Sequence, residues 1–126
     1  MAARNQPPDI ERILEESAAA TFKRATLWID GRFTEEISAN KWNWDDGSTR
    51  DIVDQGRLRA SQTRRENSDG SVDFTWPVEY ANVVHVGGTR RNGVRFPGRP
   101  WTQAPLAELP EQMARLHADE LRRRSR

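Results

Sequence analysis

The chain contains no cysteine, which removes disulfides, thiolate nucleophiles and thiolate metal ligands together. Imidazoles are almost as scarce: His85 and His117 are the only two, and they do not form a His-x-x-x-His spacing. A zinc site would therefore have to rest on scattered carboxylates, and no metal or cofactor is expected. No apolar run approaches the ~20 residues needed to cross a bilayer. The first residues turn charged without the apolar centre of a signal peptide. The expectation is a soluble protein made in the cytoplasm, with no membrane partner.

A charge excess of either sign is also missing. Twenty basic residues face 19 acidic ones, for a formal charge of +1, which argues against a whole-molecule field for nucleic acid. Nearly all the basic residues are Arg, with Lys only at Lys23 and Lys41. Gly87-Gly88-Thr89 lacks the Gly-Lys-Ser/Thr ending of a phosphate loop. Ser61, His85 and Asp73 supply the residue types of a hydrolase triad, but no Gly-x-Ser-x-Gly turn presents the serine. The pairs Glu15-Glu16 and Glu35-Glu36 fall on a helix, where neighbours point about 100° apart and share no site. No catalytic residues are assigned, and the chain is expected not to be an enzyme.

What is present fits one domain of 126 residues, since a core of this size closes once. Only 35% of residues are hydrophobic, and the mean hydropathy is −0.91. That is modest material against chain entropy, so part of the stability is expected to come from neighbouring subunits. Pro7-Pro8-Asp9 starts a helix, with Asp9 accepting from the free N–H groups of its first turn. Ile10, Leu14, Ala18, Phe22, Ala25, Ile29, Phe33 and Ile37 then recur at steps of three or four, as one apolar stripe requires. This favours a single helix over 9–39. Asp30-Gly31 offers a hairpin over 26–38 as the alternative, and a kink at Gly31 lies between the two. Unbroken, the helix would run about 45 Å, longer than a compact domain of this size readily covers.

Residues 40–50 carry no periodicity and read as a loop. Its Trp42 and Trp44 need cover, either from the chain's own core or from a neighbouring subunit. Gly56 suggests a turn or a positive φ. After the turn at Ser68-Asp69-Gly70, Val72, Phe74 and Trp76 alternate with Asp73 and Thr75, the period of a half-buried strand. With the preceding Arg64–Asn67 run they form an antiparallel hairpin. Tyr80 to Val86 suits a short helix or a strand. Gly87-Gly88 breaks it, and Val94-Arg95-Phe96 suits a last strand before the rigid Pro97-Gly98-Arg99-Pro100 exit.

Beyond Pro105, the positions Leu106, Leu109, Met113, Leu116 and Leu121 mark a second helix. Glu108 and Glu111 lie early in it and Arg122, Arg123 and Arg124 late, each favourable to the helix dipole. The predicted class is α+β: a long N-terminal helix, a small antiparallel sheet and a C-terminal helix. The predicted segments are a flexible 1–8, a helix over 9–39, a loop over 40–50, a sheet region over 51–104 and a basic-tailed helix over 105–126.

Three segments together resemble the tail-completion, or neck, family of long-tailed phages, which includes tail components of lambda-like and Mu-like phages. The first, Asp51 to Ser61, is similar to the family's valine-aspartate-threonine-glycine-x-leucine run and later serine, through Gly56, Leu58 and Ser61, with Gln55 in place of threonine. The second is Tyr80-Ala81 followed by His85 and Gly87. The third, Pro97-Gly98-Arg99-Pro100-Trp101, is like a proline-alanine-arginine-proline-aromatic signature, with Gly98 in place of alanine. The resemblance covers roughly residues 50–120. It implies an α+β subunit repeated in a homo-oligomeric ring of the virion, between the head connector or adaptor proteins and the tail tube or tail terminator.

The residues add a contact of their own. Arg99-Pro100-Trp101 presents a guanidinium and an indole on a chain stiffened by proline, so ordering costs little on binding. Arg99 is expected to pair with a carboxylate and Trp101 to fill a pocket, within the subunit or across the ring. The expected function is a neck or tail-completion subunit, with non-specific contact to packaged DNA compatible. A tail terminator ring is the nearest alternative. A small DNA-binding regulator using Arg64-Arg65, Arg90-Arg91 and the terminal arginines is the alternative of another class.

Overall fold

The computed structural model describes residues 9–39, 42–43, 49–50, 56–79, 81–89, 93 and 95–126. The fold is α+β, with a long helix at the N-terminal end, short antiparallel ladders and a long C-terminal helix. In order, these are α1 (Ile10–Ser38), β1 (Trp42–Asn43), β2 (Thr49–Arg50), α2 (Gly56–Ala60) and β3 (Thr63–Glu66). They continue as β4 (Val72–Thr75), α3 (Ala81–Val86), β5 (Gly87–Thr89), β6 (Arg95–Pro97) and α4 (Gln103–Arg124). The chain groups into two compact units, Met1–Trp28 with Glu108–Arg126, and Ile29–Ala107.

Helix α1 starts where Asp9 caps it: the Asp9 Oδ1 accepts from the Arg12 N–H at 3.1 Å, and the Asp9 carbonyl from Ile13 N–H at 3.0 Å. It then continues through Asp30-Gly31 as one helix rather than a hairpin. Asp30, which read as a turn residue, holds neighbouring structure instead. Its carboxylate accepts from Gln62 Nε2 at 2.6 Å and from Arg64 at 2.6 Å.

The sheet region differs from the single sheet expected. The described strands form three separate two-stranded antiparallel ladders, β1–β2, β3–β4 and β5–β6. Each strand has two to four residues, and helices and turns separate the pairs. The ladder β1–β2 crosses the segment read as a loop, pairing Trp42 with Arg50. In β3–β4, Arg64 pairs with Phe74 around a turn whose Gly70 has φ 90°. Val72 and Phe74 are half-buried and alternate with exposed Asp73 and Thr75, as the period-two pattern requires.

Gly56 does not adopt a positive φ; it opens α2. The segment left open between helix and strand is helix α3. Gly87, at φ 81°, ends that helix in the left-handed form glycine allows. The exit strand then passes closely over α3. A Cβ at Gly98 would lie 2.7 Å from the His85 carbonyl oxygen and 2.7 Å from the Val86 carbonyl carbon, so glycine is required at this close approach.

In the two-helix unit the buried row of α1 is not the one its apolar content suggested. Ile13, Ser17, Thr21 and Ala25 are buried, whereas Ile10, Leu14 and Phe22 stand 58%, 49% and 45% exposed. Arg24 supplies the reason. It binds Asp119 at 2.9 Å and Glu120 at 3.2 Å on α4. Residues two apart on a helix are rotated by about 200°, so turning Arg24 toward α4 turns Phe22 away. The pairing of Arg124 with Glu16, beside that of Arg24 with Asp119, makes the two helix segments antiparallel. Farther along α1, Ile29, Phe33 and Ile37 are buried as the stripe predicted. On α4, Leu109, Met113, Leu116 and Leu121 are half-buried, but Leu106 is exposed.

Two glycine substitutions test this backbone in opposite directions. Gly31 lies inside α1 with nothing within 4 Å of an added Cβ, so Gly31→Ala should raise the unfolding free energy by about 0.5–1 kcal/mol. Gly98→Ala should lower it by about 1–3 kcal/mol, the cost of forced overpacking. Denaturant titration reads both changes, and an unperturbed or stabilised Gly98→Ala protein contradicts the close approach.

Candidate functional site: the aromatic pocket at Trp101

The larger unit is built around Ile37, Leu58, Val84 and Trp101, with Trp76, Val78 and Ala81 packed against them. A series of edge-to-face ring contacts crosses it. Phe33 meets Phe74 and Trp76 at centroid distances of 5.3 Å each, Trp76 meets Trp101 at 5.4 Å, and Trp101 meets His85 at 4.8 Å. Such pairs contribute about 0.5–1.5 kcal/mol each beyond area burial. Each ring comes from a different local rule: Phe33 from the α1 stripe, Phe74 and Trp76 from strand alternation, and His85 from α3. Trp101 follows Pro100, whose carbonyl accepts from the Gln103 N–H at 3.0 Å at the start of α4.

Hydrogen bonds fix the ring positions. Trp76 Nε1 donates to Gln62 Oε1 at 3.2 Å, and Gln62 in turn donates to the Asp30 carbonyl at 2.8 Å. His85 Nε2 lies 2.8 Å from Thr102 Oγ1. The Arg99 N–H donates to the Val84 carbonyl at 2.8 Å, satisfying one of the carbonyls a helix end leaves open. The Trp101 indole is 2% exposed, and its Nε1 has no hydrogen-bond partner among the described residues.

Trp76, Ala81, Asn82, His85, Trp101 and Thr102 line an open pocket of about 270 Å³. It offers two indole surfaces, one amide, one imidazole and one hydroxyl. Burial holds the His85 imidazole below its ordinary value of 6.5, so the ring is neutral at physiological pH. The imidazole–hydroxyl contact has the distance of a base and a nucleophile, but the Ser61 hydroxyl of the imagined triad is used elsewhere. It donates to the Leu58 carbonyl at 2.7 Å, capping α2. No group of three or more metal-ligating side chains occurs among the described residues.

The residues singled out by sequence thus divide clearly. Arg99 and Trp101 are both buried, at 5% and 2% exposure, so Trp101 fills its pocket inside its own chain. Leu58 is fully buried, Gly56 is exposed, Ser61 and Pro100 are half-buried, and His85 and Gly87 shape the α3 end. Trp44, Tyr80 and the side chain of Trp42 lie outside the described residues. Sequence reasoning missed Gln62 and Thr102, whose polar side chains carry no periodic signal, and it missed Asn82 on the pocket wall.

Comparison of the chain with protein-family models, curated proteins and solved structures found no match. No helix among the described residues is long and apolar enough to cross a membrane.

The pH dependence of stability follows from the imidazole. A folded value below 6.5 means that the unfolded chain binds the extra proton first, so stability falls as pH drops through about 6.5. His85→Gln should flatten the thermal midpoint between pH 7.5 and 5.5 while Trp101 remains buried. A second loss should appear below the ordinary values of 3.8 and 4.5 for Asp119 and Glu120, both held low. For Asp119 the Arg24 hydrogen bond is the main cause; for Glu120 burial opposes the shift, and the bonds from Arg124 and Arg24 outweigh it. An identical midpoint–pH curve for His85→Gln and the parent chain would overturn the His85 assignment.

Proposed function

We propose that this chain is a structural subunit of a tailed-phage virion, a neck or tail-completion protein acting as one copy in a ring at the head–tail junction. The observation that carries the proposal is the solvent-facing row of Ile10, Leu14 and Phe22 on α1. Ile10 and Leu14 stand four residues apart and Phe22 eight beyond Leu14, with Ala18 between, so all lie on one ridge, and a clustered apolar ridge facing solvent marks an interaction surface. The resemblance over residues 50–120 supplies the kind of assembly. It would occupy the space between head connector or adaptor proteins and the tail tube or terminator, and a tail terminator ring remains the neighbouring reading within the same class.

The state of the arginines favours assembly over a DNA-binding regulator. Arg24, Arg32 and Arg64 bind carboxylates of the chain. Of the terminal arginines, Arg124 binds the buried Glu120, whereas the pairs of Arg122 and Arg123 with Asp119 are exposed and weak; Arg90 and Arg91 lie outside the described residues. Phosphate contacts need basic groups that are not already neutralised. A basic rim on a channel for packaged DNA is compatible with the ring.

Immunoelectron microscopy of particles carrying this chain tests the proposal. Label confined to the junction between head and tail is the expected result. Particles that lack the chain, together with a purified protein that retards duplex DNA with a steep salt dependence, would replace the structural assignment by the regulator.

A further inference from the structure

The pocket beside Trp76 and His85 has no part in the assembly proposed above, yet the chain holds its walls in place. Trp76 is anchored through Nε1 to Gln62 and meets Trp101 edge to face at 5.4 Å. Thr102 stands immediately before α4, where a threonine hydroxyl ordinarily accepts from an N–H two or three residues on. The third residue on is Pro105, which has no N–H to give. The hydroxyl pairs instead with His85 Nε2 at 2.8 Å.

Hydrogen-bonding capacity is left over at this site. Whichever member of the His85–Thr102 pair donates, Thr102 Oγ1 keeps a lone pair or its own O–H for a further partner. Asn82 is exposed on α3. Its amide offers donors and an acceptor, and it makes no hydrogen bond among the described residues.

Charge and size narrow what fits. None of the described residues lining the pocket is acidic or basic, and burial keeps the His85 imidazole neutral at physiological pH. Trp101 is 2% exposed, so Trp76 is the one indole presented, too few rings to cage a cation. Sites that stack nucleobases lie in basic grooves, which this pocket is not. Its volume of about 270 Å³ falls just below the roughly 300–1,000 Å³ of ordinary ligand sites, enough for a single ring. A phenol meets these conditions together: the ring packs on Trp76, and the hydroxyl both donates and accepts, serving Thr102 and Asn82. A bare phenyl ring would strip water from those two groups and replace none of its hydrogen bonds.

The rim indicates the source of the phenol. Successive helix residues are turned by about 100°, so Val86 lies about 40° around α3 from Asn82, with Val83 beyond it. These valines are 64% and 45% exposed, and they form an apolar shelf on the helix that walls the pocket. A free phenol would leave that shelf uncovered. We propose that the pocket receives a tyrosine side chain of a partner protein, whose neighbouring apolar residues rest on Val83 and Val86.

Nuclear magnetic resonance of the isotope-labelled full chain tests the site through the signals of the Trp76 indole N–H and the Asn82 side-chain amide. N-acetyl-tyrosinamide and p-cresol should shift both saturably, with half-saturation on the order of 1 mM. N-acetyl-phenylalaninamide should bind about threefold to tenfold more weakly. The peptide acetyl-Leu-Tyr-Leu-amide should bind about tenfold more tightly than p-cresol, because its leucines reach the shelf. Asn82→Ala, at an exposed position, should weaken every phenol. Val83→Ser with Val86→Ser should reduce the peptide to the affinity of p-cresol and leave p-cresol unchanged, with circular dichroism melting as the check on folding. Absence of a saturable shift, or equal binding of the tyrosine and phenylalanine amides, would overturn the inference. Equal affinity of the peptide and p-cresol would overturn the protein source, and a thymidine oligonucleotide that shifts the same signals would replace it by nucleic acid.

Discussion

The polar clasp between Arg24 and the carboxylates of Asp119 and Glu120 sets the rotation of α1, and most of the surface chemistry follows from that angle. Glu120 is 3% exposed, and removing a carboxylate from water is costly unless its oxygens are paired. Arg24 and Arg124 meet that need from two helices. With Arg24 turned toward α4, Ile13, Ser17, Thr21 and Ala25 form the buried row of α1. Thr21 satisfies its hydroxyl by donating to the Ser17 carbonyl of its own helix at 2.7 Å, whereas the buried Ser17 hydroxyl has no hydrogen-bond partner among the described residues. The bulky residues are then left outward, which no count of apolar residues would suggest.

The larger unit follows a different logic, because aromatic rings rather than charges set its geometry. Trp101 is central: it touches Trp76 on one side and His85 on the other. The Arg99-Pro100-Trp101 run therefore acts as an internal wedge, and the proline that stiffens it delivers the indole to the chain's own core. Gly98 belongs to the same device. Without a side chain it lets the strand press against the end of α3, and the Arg99 N–H reaches the Val84 carbonyl.

Much of the fold was legible because its signals are local. Asp9 marked the start of α1, the alternation of Val72, Phe74 and Trp76 marked β4, and the Ser68-Asp69-Gly70 turn marked its hairpin. The α+β class followed. What could not be read depends on partners distant in sequence. The choice between the Ile10 row and the Ile13 row is made by Asp119 and Glu120, nearly a hundred residues away. The three separate ladders depend on which short strands meet, and strands of two to four residues carry too little period to say. The pocket was half legible: Trp101 and His85 were singled out, but Asn82 and Thr102 acquire meaning only when α3 and the start of α4 come together.

The four-residue repeat of the outward row has a geometric consequence. A ridge of every fourth residue does not run along its helix but leans from the axis by about 26°, and two such ridges laid together cross their helices near 50°.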